Sequence, residues 1–570
     1  MYILGISEID NDAGAVLLKN AEVVCGINEE RLTRIKRHRG FPHKSVEWIL
    51  KYSNLSIENI DYIAIAKASP TDNPDRFYRV SNLLRSYDYF DKKDPSSFLV
   101  KTLNLVINKY RNAPKSIELA KKMNDEIDEW INNNNCSDKV IRVPHHRAHA
   151  ECAYWASGFE NALAVTMDGQ GEGVTSQVYL VNNGEFSLLK EVRAPHSLGN
   201  FYAAVTKALG FKPARHEGKI TGLAAYADQD PNLLLEIQKM AFLDSDGGFF
   251  SPSIYGNYTK IVKLGKKYGK EKISSVFQYI IEDITSKYIS YYVEKYQVAD
   301  IVLAGGVFGN VKLNQKIHEI NGVNNIYVFP HMADGGLGYG AAQFVYREKS
   351  NDNSISSIKD VYWGPEYTND EVKESLDRYG IKYKYYDQIE KEVALCLSKD
   401  KVVTHFSGRM EFGPRSLGNR SILYPATTPS VNNWLNHKLE RSEFMPFAPV
   451  TLSEYADECY LNIKGAEKTS QFMTITFECT DKMKNQSPAV VHVDGTARPQ
   501  LVSENINPRY YKILSEYYNL TGIPSIVNTS FNMHEEPIVC SPDDAIAAFL
   551  QSELDYLAIG NFLVEGDLKN

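Results

Sequence analysis

Residues 144–173 read PHHRAHAECAYWASGFENALAVTMDGQGEG, and this stretch decides the fold of the chain around it. His145 and His149 are four residues apart, so in a helix they lie on one face and reach the same point. The apolar run over 162–167 predicts a buried strand that ends in Asp168 and a glycine-rich turn. Two imidazoles and one carboxylate form a ligand set for a divalent transition metal.

A second aspartate occurs in a similar setting much later in the chain. Asp334 lies within FPHMADGGLGYGAA, and we expect the chain to fold so that it joins His145, His149 and Asp168 as a metal ligand. The residues alone leave another interpretation open, because histidines at this spacing are a weak motif and are often surface or capping residues. Asp168 alone is equally consistent with an ordinary turn.

The length and composition predict a folded protein of more than one domain. The 570 residues favour two domains, with three as an alternative, and 43% hydrophobic residues favour packed cores. The net charge of −8 disfavours a dedicated nucleic-acid binder, so no nucleic-acid partner is expected. The seven scattered cysteines contain no CxxC pair, which disfavours a thiolate zinc site and fits a reducing compartment. Without a signal peptide or a long apolar run, we expect a cytoplasmic protein with no membrane partner.

The N-terminal segment combines an acidic loop with a basic cluster. MYILGI predicts a buried first strand, and the following loop contains Asp10 and Asp12. Backbone N–H groups in such a loop can approach a phosphate, although an ordinary β-turn explains the same residues. The cluster between Arg31 and Arg39, which includes Lys36, suits an anionic ligand, and a solvated surface is the alternative.

Two further charged residues precede the start of an apolar helix in ARHEGKITGLAAYA. Glu217 and Lys219 are predicted to line a site, because charged groups beside GLAAY do not suit a core. A surface turn is the alternative, since loops carry both kinds of residue.

Glycine-rich turns follow three of the predicted strands. DGQGEG contains Gly169 and Gly171, and DIVLAGGVFGNVKLNQKI contains Gly305 and Gly306. Asn310 then begins a helix at whose N-terminus an anion is favoured. The third turn, GGLGYGAA, follows Asp334 directly. Three such turns beside the histidine pair indicate a nucleotide site next to a metal.

A polar stretch, EKSNDNSISSIKD, predicts a domain boundary near residue 355. Beyond it, arginines recur in loops rich in glycine, proline and serine. This setting favours phosphate binding, because a guanidinium matches two phosphate oxygens at once. The residues of this predicted second anion site are Arg415, Lys438, Arg441, Arg498, Asn528, Ser530 and Asn532.

Motifs along nearly the whole chain carry a specific resemblance. They are NEERLTRIKR…FP, HHRAHA, VTMDGQGEG, SLGNFY…LGF, EGKITGLAAYA, LAGGVFGNVKLN, DGGLGYGAA, GPRSLGNRSIL, FMPFAP, HVDGTARPQ and NTSFNMHEEPIV. Together and in this order, they resemble the bacterial O-carbamoyltransferases of the nodulation-protein and cephamycin type.

The resemblance implies an α/β protein with two domains. Residues 1–355 would form a metal-dependent, duplicated α/β domain of the actin-like ATPase (ASKHA) type, and residues 356–570 a YrdC-like domain that forms carbamoyladenylate. Such enzymes form carbamoyladenylate from carbamoyl phosphate and ATP, with Mg²⁺ accompanying the ATP. They then transfer the carbamoyl group to a hydroxyl of a small molecule such as a sugar or an antibiotic.

The resemblance also assigns residues to the two sites. His145, His149, Asp168 and Asp334 would hold a divalent metal, with iron(II) as the expected ion. The activated carbamoyl nucleotide would be bound by Arg415, Arg498, Asn528 and Ser530.

Two positions depart from the family pattern. Asn11 stands where the family has a histidine thought to serve the transfer step, so either Asp10 or Asp12 acts as the base or the step proceeds differently. Met445 stands where the family has an arginine, so that phosphate contact is either missing or supplied by Lys438 or Arg441. A threonylcarbamoyl-type tRNA modification enzyme and a non-catalytic nucleotide-binding scaffold are the alternatives, and a homodimer is left open.

Overall fold

A computed structural model describes residues 1–7, 12–67, 125–251, 254–439 and 444–566. Two five-stranded sheets lie in the N-terminal half of the chain. The first contains β1 (Tyr2–Ile6), β2 (Gly14–Lys19), β3 (Glu22–Asn28), β4 (Tyr62–Ile65) and β5 (Val140–Arg142). The second contains β6 (Asn161–Gly171), β7 (Val174–Asn182), β8 (Glu185–Arg193), β11 (Asp300–Ala304) and β12 (Asn325–Val328), while β9 (Phe242–Leu243) and β10 (Phe249–Phe250) form a small hairpin.

Both five-stranded sheets have the same strand order and the same strand directions. In the first sheet, β3, β2 and β1 are antiparallel neighbours, and β4 and β5 continue the sheet parallel to β1. In the second, β8, β7 and β6 are antiparallel neighbours, and β11 and β12 continue it parallel to β6. This repetition confirms the duplicated α/β fold of the actin-like type that the sequence predicted for the N-terminal half.

Helices cover the sheets of the N-terminal half and separate them. They are α1 (Glu29–Thr33), α2 (His43–Ser53), α3 (His145–Ser157), α4 (Leu198–Ala208), α5 (Glu217–Ala224), α6 (Pro231–Gln238), α7 (Ile254–Tyr268), α8 (Lys270–Tyr296), α9 (Val311–His318) and α10 (Leu337–Ser350). The longest, α8, buries isoleucine, valine and tyrosine side chains in the core that it shares with the second sheet and with neighbouring helices.

Close glycine contacts bring α3 and α10 together. A Cβ atom on Gly340 of α10 would lie 2.0 Å from the carbonyl oxygen of Ala148 in α3. A Cβ on Gly5 of β1 would lie 1.9 Å from the carbonyl oxygen of Gly338. The backbones of β1, α3 and α10 therefore approach as closely as only glycine permits. This packing places the turn before α10 beside the start of α3.

The C-terminal half contains one mixed eight-stranded sheet in the order β13-β22-β21-β14-β15-β20-β16-β19. Its strands are β13 (Lys384–Tyr385), β14 (Val403–Phe406), β15 (Arg420–Pro425), β16 (Ala448–Leu452), β19 (Gln500–Val502), β20 (Ser525–Ser530), β21 (Tyr556–Ile559) and β22 (Phe562–Glu565), with β17 (Phe477–Glu478) and β18 (Thr496–Ala497) forming a separate pair. Its helices are α11 (Asn369–Arg378), α12 (Ile389–Ser398), α13 (Val431–Lys438), α14 (Ala456–Cys459), α15 (Glu467–Ser470), α16 (Asp481–Gln486), α17 (Pro508–Thr521) and α18 (Pro542–Ser552).

The sheets fall on either side of residue 355, but the two halves are in direct contact. Ile326 of β12 donates its N–H to the carbonyl of Gly465 at 2.9 Å, and Thr469 Oγ1 donates to the carbonyl of Ile326 at 2.6 Å. Lys468 Nζ donates to the carbonyls of Ala156 and Ser157 at the end of α3. The boundary at residue 355 and the YrdC-like assignment of residues 356–570 stay predictions.

Among the described residues, every helix is too short or too polar to cross a lipid bilayer.

Candidate metal centre and cationic cavity

Four side chains from distant parts of the N-terminal half meet at one point. One nitrogen or oxygen atom from each of His145, His149, Asp168 and Asp334 lies within 4.8 Å of the others. The Nε2 atom of His149 is 3.3 Å from Asp168 Oδ2 and 3.9 Å from Asp334 Oδ1. The Nε2 atom of His145 is 3.7 Å and 4.0 Å from the same two oxygens. The structure thus brings together all four residues that the sequence singled out.

Local structure fixes the histidines and Asp168 in place. Both histidines lie on one face of α3, which begins at His145. The Asp168 carboxylate accepts the N–H of Gly169 at 2.6 Å and the N–H of Gly306 at 3.2 Å. A Cβ atom on Gly171 would lie 2.2 Å from the imidazole of His145, so glycine is required for the turn to pass this ring.

The third histidine of the motif, His146, has a structural role. His146 Nδ1 is 2.8 Å from Thr166 Oγ1, and its Nε2 is 3.0 Å from the carbonyl oxygen of Val174. Burial, together with the neighbouring His145 and His149, lowers the pKa of His146 to about 3, so it is neutral at neutral pH. It ties α3 to strands β6 and β7.

The chemistry of the four-residue cluster fits a divalent transition metal. Burial raises the pKa of Asp168, but hydrogen bonds and charge from His145 and His149 outweigh this effect and hold the pKa well below its ordinary value. Asp168 is therefore an anion flanked by two ring nitrogens, with Asp334 completing the set. Two imidazole nitrogens and two carboxylate oxygens suit iron, manganese or zinc.

A cavity of about 500 Å³ lies between the two halves of the chain. Lys36, Arg37 and Lys219 line it from the N-terminal half, and Arg415 and Arg498 line it from the C-terminal half. Cations that converge on one cavity favour an anionic ligand. One cavity therefore brings together basic residues that are distributed along the sequence from position 36 to position 498.

The cavity extends to residues that contact the four-residue cluster. Gly306 lines the cavity and also donates its N–H to Asp168. His331, three residues before Asp334, lines the same wall, and burial beside Arg31 lowers its pKa to about 3. A ligand in the cavity can therefore approach the four-residue cluster.

Carboxylates hold two groups of cations at the cavity. Both oxygens of Asp12 accept from Arg37, at 3.1 to 3.3 Å. At the rim, Glu535 lies 2.9 Å from Arg215, 3.3 Å from Lys212 and 3.4 Å from His216. These ion pairs join the N-terminal half to the loop after β20.

Most of the residues predicted to bind or react with ligand do line the cavity. Those that line it are Asp12, Lys36, Lys219, Gly306, Arg415, Arg498, Asn528, Ser530 and Asn532. Gly169, Gly171 and Gly305 instead shape the turns around Asp168 and His145. Asp10 and Arg441 lie outside the described residues.

Three other predicted residues have structural partners. Asn310 caps α9 through its Oδ1, which accepts the N–H of Leu313, and it also pairs with Gln278. Lys438 forms an ion pair with Glu553 at 3.3 Å. Glu217 accepts the N–H of Ala214 at 2.6 Å at the start of α5. The functional assignments of these residues stay predictions.

Several cavity residues escaped the sequence analysis although they lie inside or beside its motifs. Arg37 belongs to the basic cluster but was not singled out, and His331 lies within FPHMADGG. Glu535 lies within NTSFNMHEEPIV, where its left-handed φ of 62° marks an unusual position for a side chain. Only the fold shows that these three face the cavity.

Comparisons with known proteins identify the family of the chain. The family model Carbamoyltransferase N-terminus matches residues 2–343, and Carbamoyltransferase C-terminus matches residues 394–566. The chain is 32% identical to an uncharacterized protein of Methanocaldococcus jannaschii, with 99% of each chain covered. It is 31% identical to the nodulation protein NolNO of Sinorhizobium fredii, with 97% of this chain and 79% of that one covered. The predicted resemblance is confirmed: the chain belongs to the carbamoyltransferase family and is an enzyme of that class.

Proposed function

We propose that this enzyme is an ATP-dependent O-carbamoyltransferase whose acceptor is a hydroxyl group of a small molecule, such as a sugar or an antibiotic. Water first releases phosphate from carbamoyl phosphate, and the carbamate oxygen displaces pyrophosphate at the α-phosphorus of ATP, which gives carbamoyladenylate. The acceptor hydroxyl then attacks the carbamoyl carbon, and AMP leaves. The proposal depends on one observation above all: a single cavity joins cations from both halves to the wall of the His–Asp cluster.

The C-terminal half supplies the residues suited to the first step. Arg415 and Arg498 offer planar guanidinium groups that can each bind two phosphate oxygens. Asn528 and Ser530, which end strand β20, add polar groups on the same wall. Binding in the cavity would limit the access of water to carbamoyladenylate.

We further propose that His145, His149, Asp168 and Asp334 hold a divalent metal, with iron(II) as the expected ion. Bound there, the metal would act as a Lewis acid that polarises a carbonyl or phosphoryl oxygen. The protein's own contribution is to orient these ligands: Gly169 and Gly306 fix the Asp168 carboxylate, and the packing of α3 fixes the histidines.

Asp12 lines the cavity and Glu217 lies on the helix that carries Lys219, and one of these two carboxylates would be the base that takes the acceptor's proton. Burial raises the pKa of Glu217, which brings a carboxylate closer to the range useful for proton transfer at neutral pH. Both oxygens of Asp12 accept from Arg37, so a base at Asp12 would require this ion pair to open. Lys219, two residues after Glu217, would bind a phosphoryl oxygen in the cavity.

The proposed setting is the cytoplasm, with Mg²⁺ accompanying the ATP and no nucleic acid taking part. All seven cysteines are unpaired thiols, which fits a reducing compartment.

The direct test is exchange of labelled pyrophosphate into ATP by the full-length, iron-loaded enzyme in the presence of carbamoyl phosphate. We expect exchange that requires carbamoyl phosphate, and carbamoyl transfer to an acceptor that requires the metal. Folded, metal-loaded protein that shows no exchange would contradict the proposal.

A further inference from the structure

We propose that Glu411 is a positioning residue that fixes the loop carrying Arg415, an inference that rests on the proposed function of that arginine. Glu411 is 4% exposed and lies between β14 and β15. Its Oε1 atom accepts the backbone N–H groups of Leu417 at 2.7 Å, Asn419 at 2.9 Å and Arg420 at 3.2 Å. One buried carboxylate oxygen thus gathers three amides of the same loop.

Three N–H groups directed at one point form a nest of the kind that binds anions. Here the chain's own carboxylate occupies the nest, so these amides are not available to a phosphate in the cavity. Recognition of substrate by this loop therefore falls to the side chain of Arg415, which lines the cavity. The loop acts as a rigid base for that side chain.

Other side chains bind further backbone groups of the loop. The carbonyl oxygen of Leu417 accepts from Tyr362 Oη and from Gln500 Nε2, both at 2.8 Å. Gly418 donates its N–H to Ser421 Oγ at 3.0 Å, and its carbonyl oxygen is 2.6 Å from His405 Nδ1. These hydrogen bonds support the loop on the side away from the cavity.

The loop is also bonded to Asn528, which lines the same wall of the cavity. Asn528 Nδ2 donates to the carbonyl of Ser416 at 3.3 Å and to Gln500 Oε1 at 2.8 Å. A shift of the loop would therefore move Arg415 and disturb Asn528, which both line the cavity. A misplacement of about 1 Å is enough to slow a reaction by a factor on the order of 100.

The test uses pyrophosphate–ATP exchange by the full-length, metal-loaded enzyme. Glu411→Gln keeps the volume and an acceptor oxygen but loses the charge, and we expect kcat for exchange to fall roughly 10-fold. Glu411→Ala leaves three amides without an acceptor, and we expect a fall on the order of 100-fold. Glu371→Gln is the matched control, because Glu371 also accepts a backbone N–H, at 2.7 Å from Thr368, but at the exposed start of α11.

A double-mutant cycle separates positioning from a general loss of stability. If Glu411 acts through Arg415, Arg415→Gln should cost much less in the Glu411→Gln background than in the unsubstituted enzyme. Metal content should stay unchanged, because the four-residue cluster lies in the other half. Unchanged kcat in Glu411→Gln, or fully additive effects with Arg415→Gln, would overturn the inference alone. Absence of exchange in the unsubstituted enzyme would overturn the proposed function and the inference with it.

Discussion

Asp168 in the N-terminal half and Glu411 in the C-terminal half are both carboxylates that accept backbone N–H groups beside the cavity. Asp168 accepts two, from Gly169 and Gly306, and still faces His145 and His149. Glu411 accepts three and lies behind the loop that it holds. The same chemical group is therefore placed as a candidate ligand in one half and as an internal support in the other.

This difference follows from what surrounds each carboxylate. Asp168 lies in a turn at the end of a long strand, where glycines leave the space in front of it to the imidazoles of α3. Glu411 lies against a loop that directs three amides at one of its oxygens, so its charge is used within the protein. A buried acid near a cavity is thus a ligand only if some of its oxygen atoms remain directed at the site.

The largest expected effect tests the ligand side of this comparison. Asp168→Asn keeps the shape but removes the charge between the histidines, so we expect metal content to fall to background. Carbamoyl transfer should fall at least on the order of 100-fold, while pyrophosphate–ATP exchange, which we assign to the other half, continues. Metal analysis and the two assays measure these effects separately.

His146→Gln is the matched control for this substitution, since His146 lies on α3 but bonds to Thr166 and Val174. It should lower stability and leave about one metal per chain at saturating iron. Equal loss of metal in both variants would contradict the assignment of the four ligands.

The next largest effect tests the cations that line the cavity from the C-terminal half. Arg498→Gln should reduce pyrophosphate–ATP exchange by a factor on the order of 100 and leave metal content unchanged, because a guanidinium that binds phosphate is lost. Arg378→Gln removes an exposed arginine of α11 that pairs with Asp543, and it should leave exchange unchanged. A similar loss in both variants would show that the effect does not come from the cavity.

A smaller effect is expected from the turn that carries Asp168. Gly171→Ala would place a Cβ atom 2.2 Å from the His145 ring, so the ring or the turn must move. We expect metal affinity to fall roughly 10-fold, as measured by competition with a chelator. Gly265→Ala in α7, where the nearest atom is the flexible Leu209 side chain at 3.3 Å, should leave affinity unchanged. Wild-type affinity in Gly171→Ala would show that the position of His145 is not critical.

The sequence was most informative where function depends on local spacing. His145 and His149 could be paired because the helix period is local, and Asp168 could be placed because it follows an apolar run. The long-range partner of a charged residue cannot be predicted from local spacing. The ion pair of Lys438 with Glu553 does not follow from the sequence around Lys438, and the predicted phosphate contact of Lys438 stays a prediction. The support that Glu411 gives to its loop likewise has no signature in the spacing of residues.

The smallest expected effect concerns a carboxylate that is neither ligand nor internal support. Burial raises the pKa of Glu535, but Lys212, Lys36 and Arg215 outweigh this and lower it to about 2. A lowered pKa means that the ion pairs stabilise the folded state above the ordinary glutamate pKa of about 4.3, and that this contribution is lost as the pH falls towards 2. Because the cluster is partly exposed, we expect Glu535→Gln to lower the free energy of unfolding by only about 1 kcal/mol at pH 7. In urea unfolding, this difference from the unsubstituted enzyme should shrink between pH 5 and pH 2, whereas Glu553→Gln should show little difference at any pH. A difference that stays constant with pH would mean that Glu535 contributes through packing and not through charge.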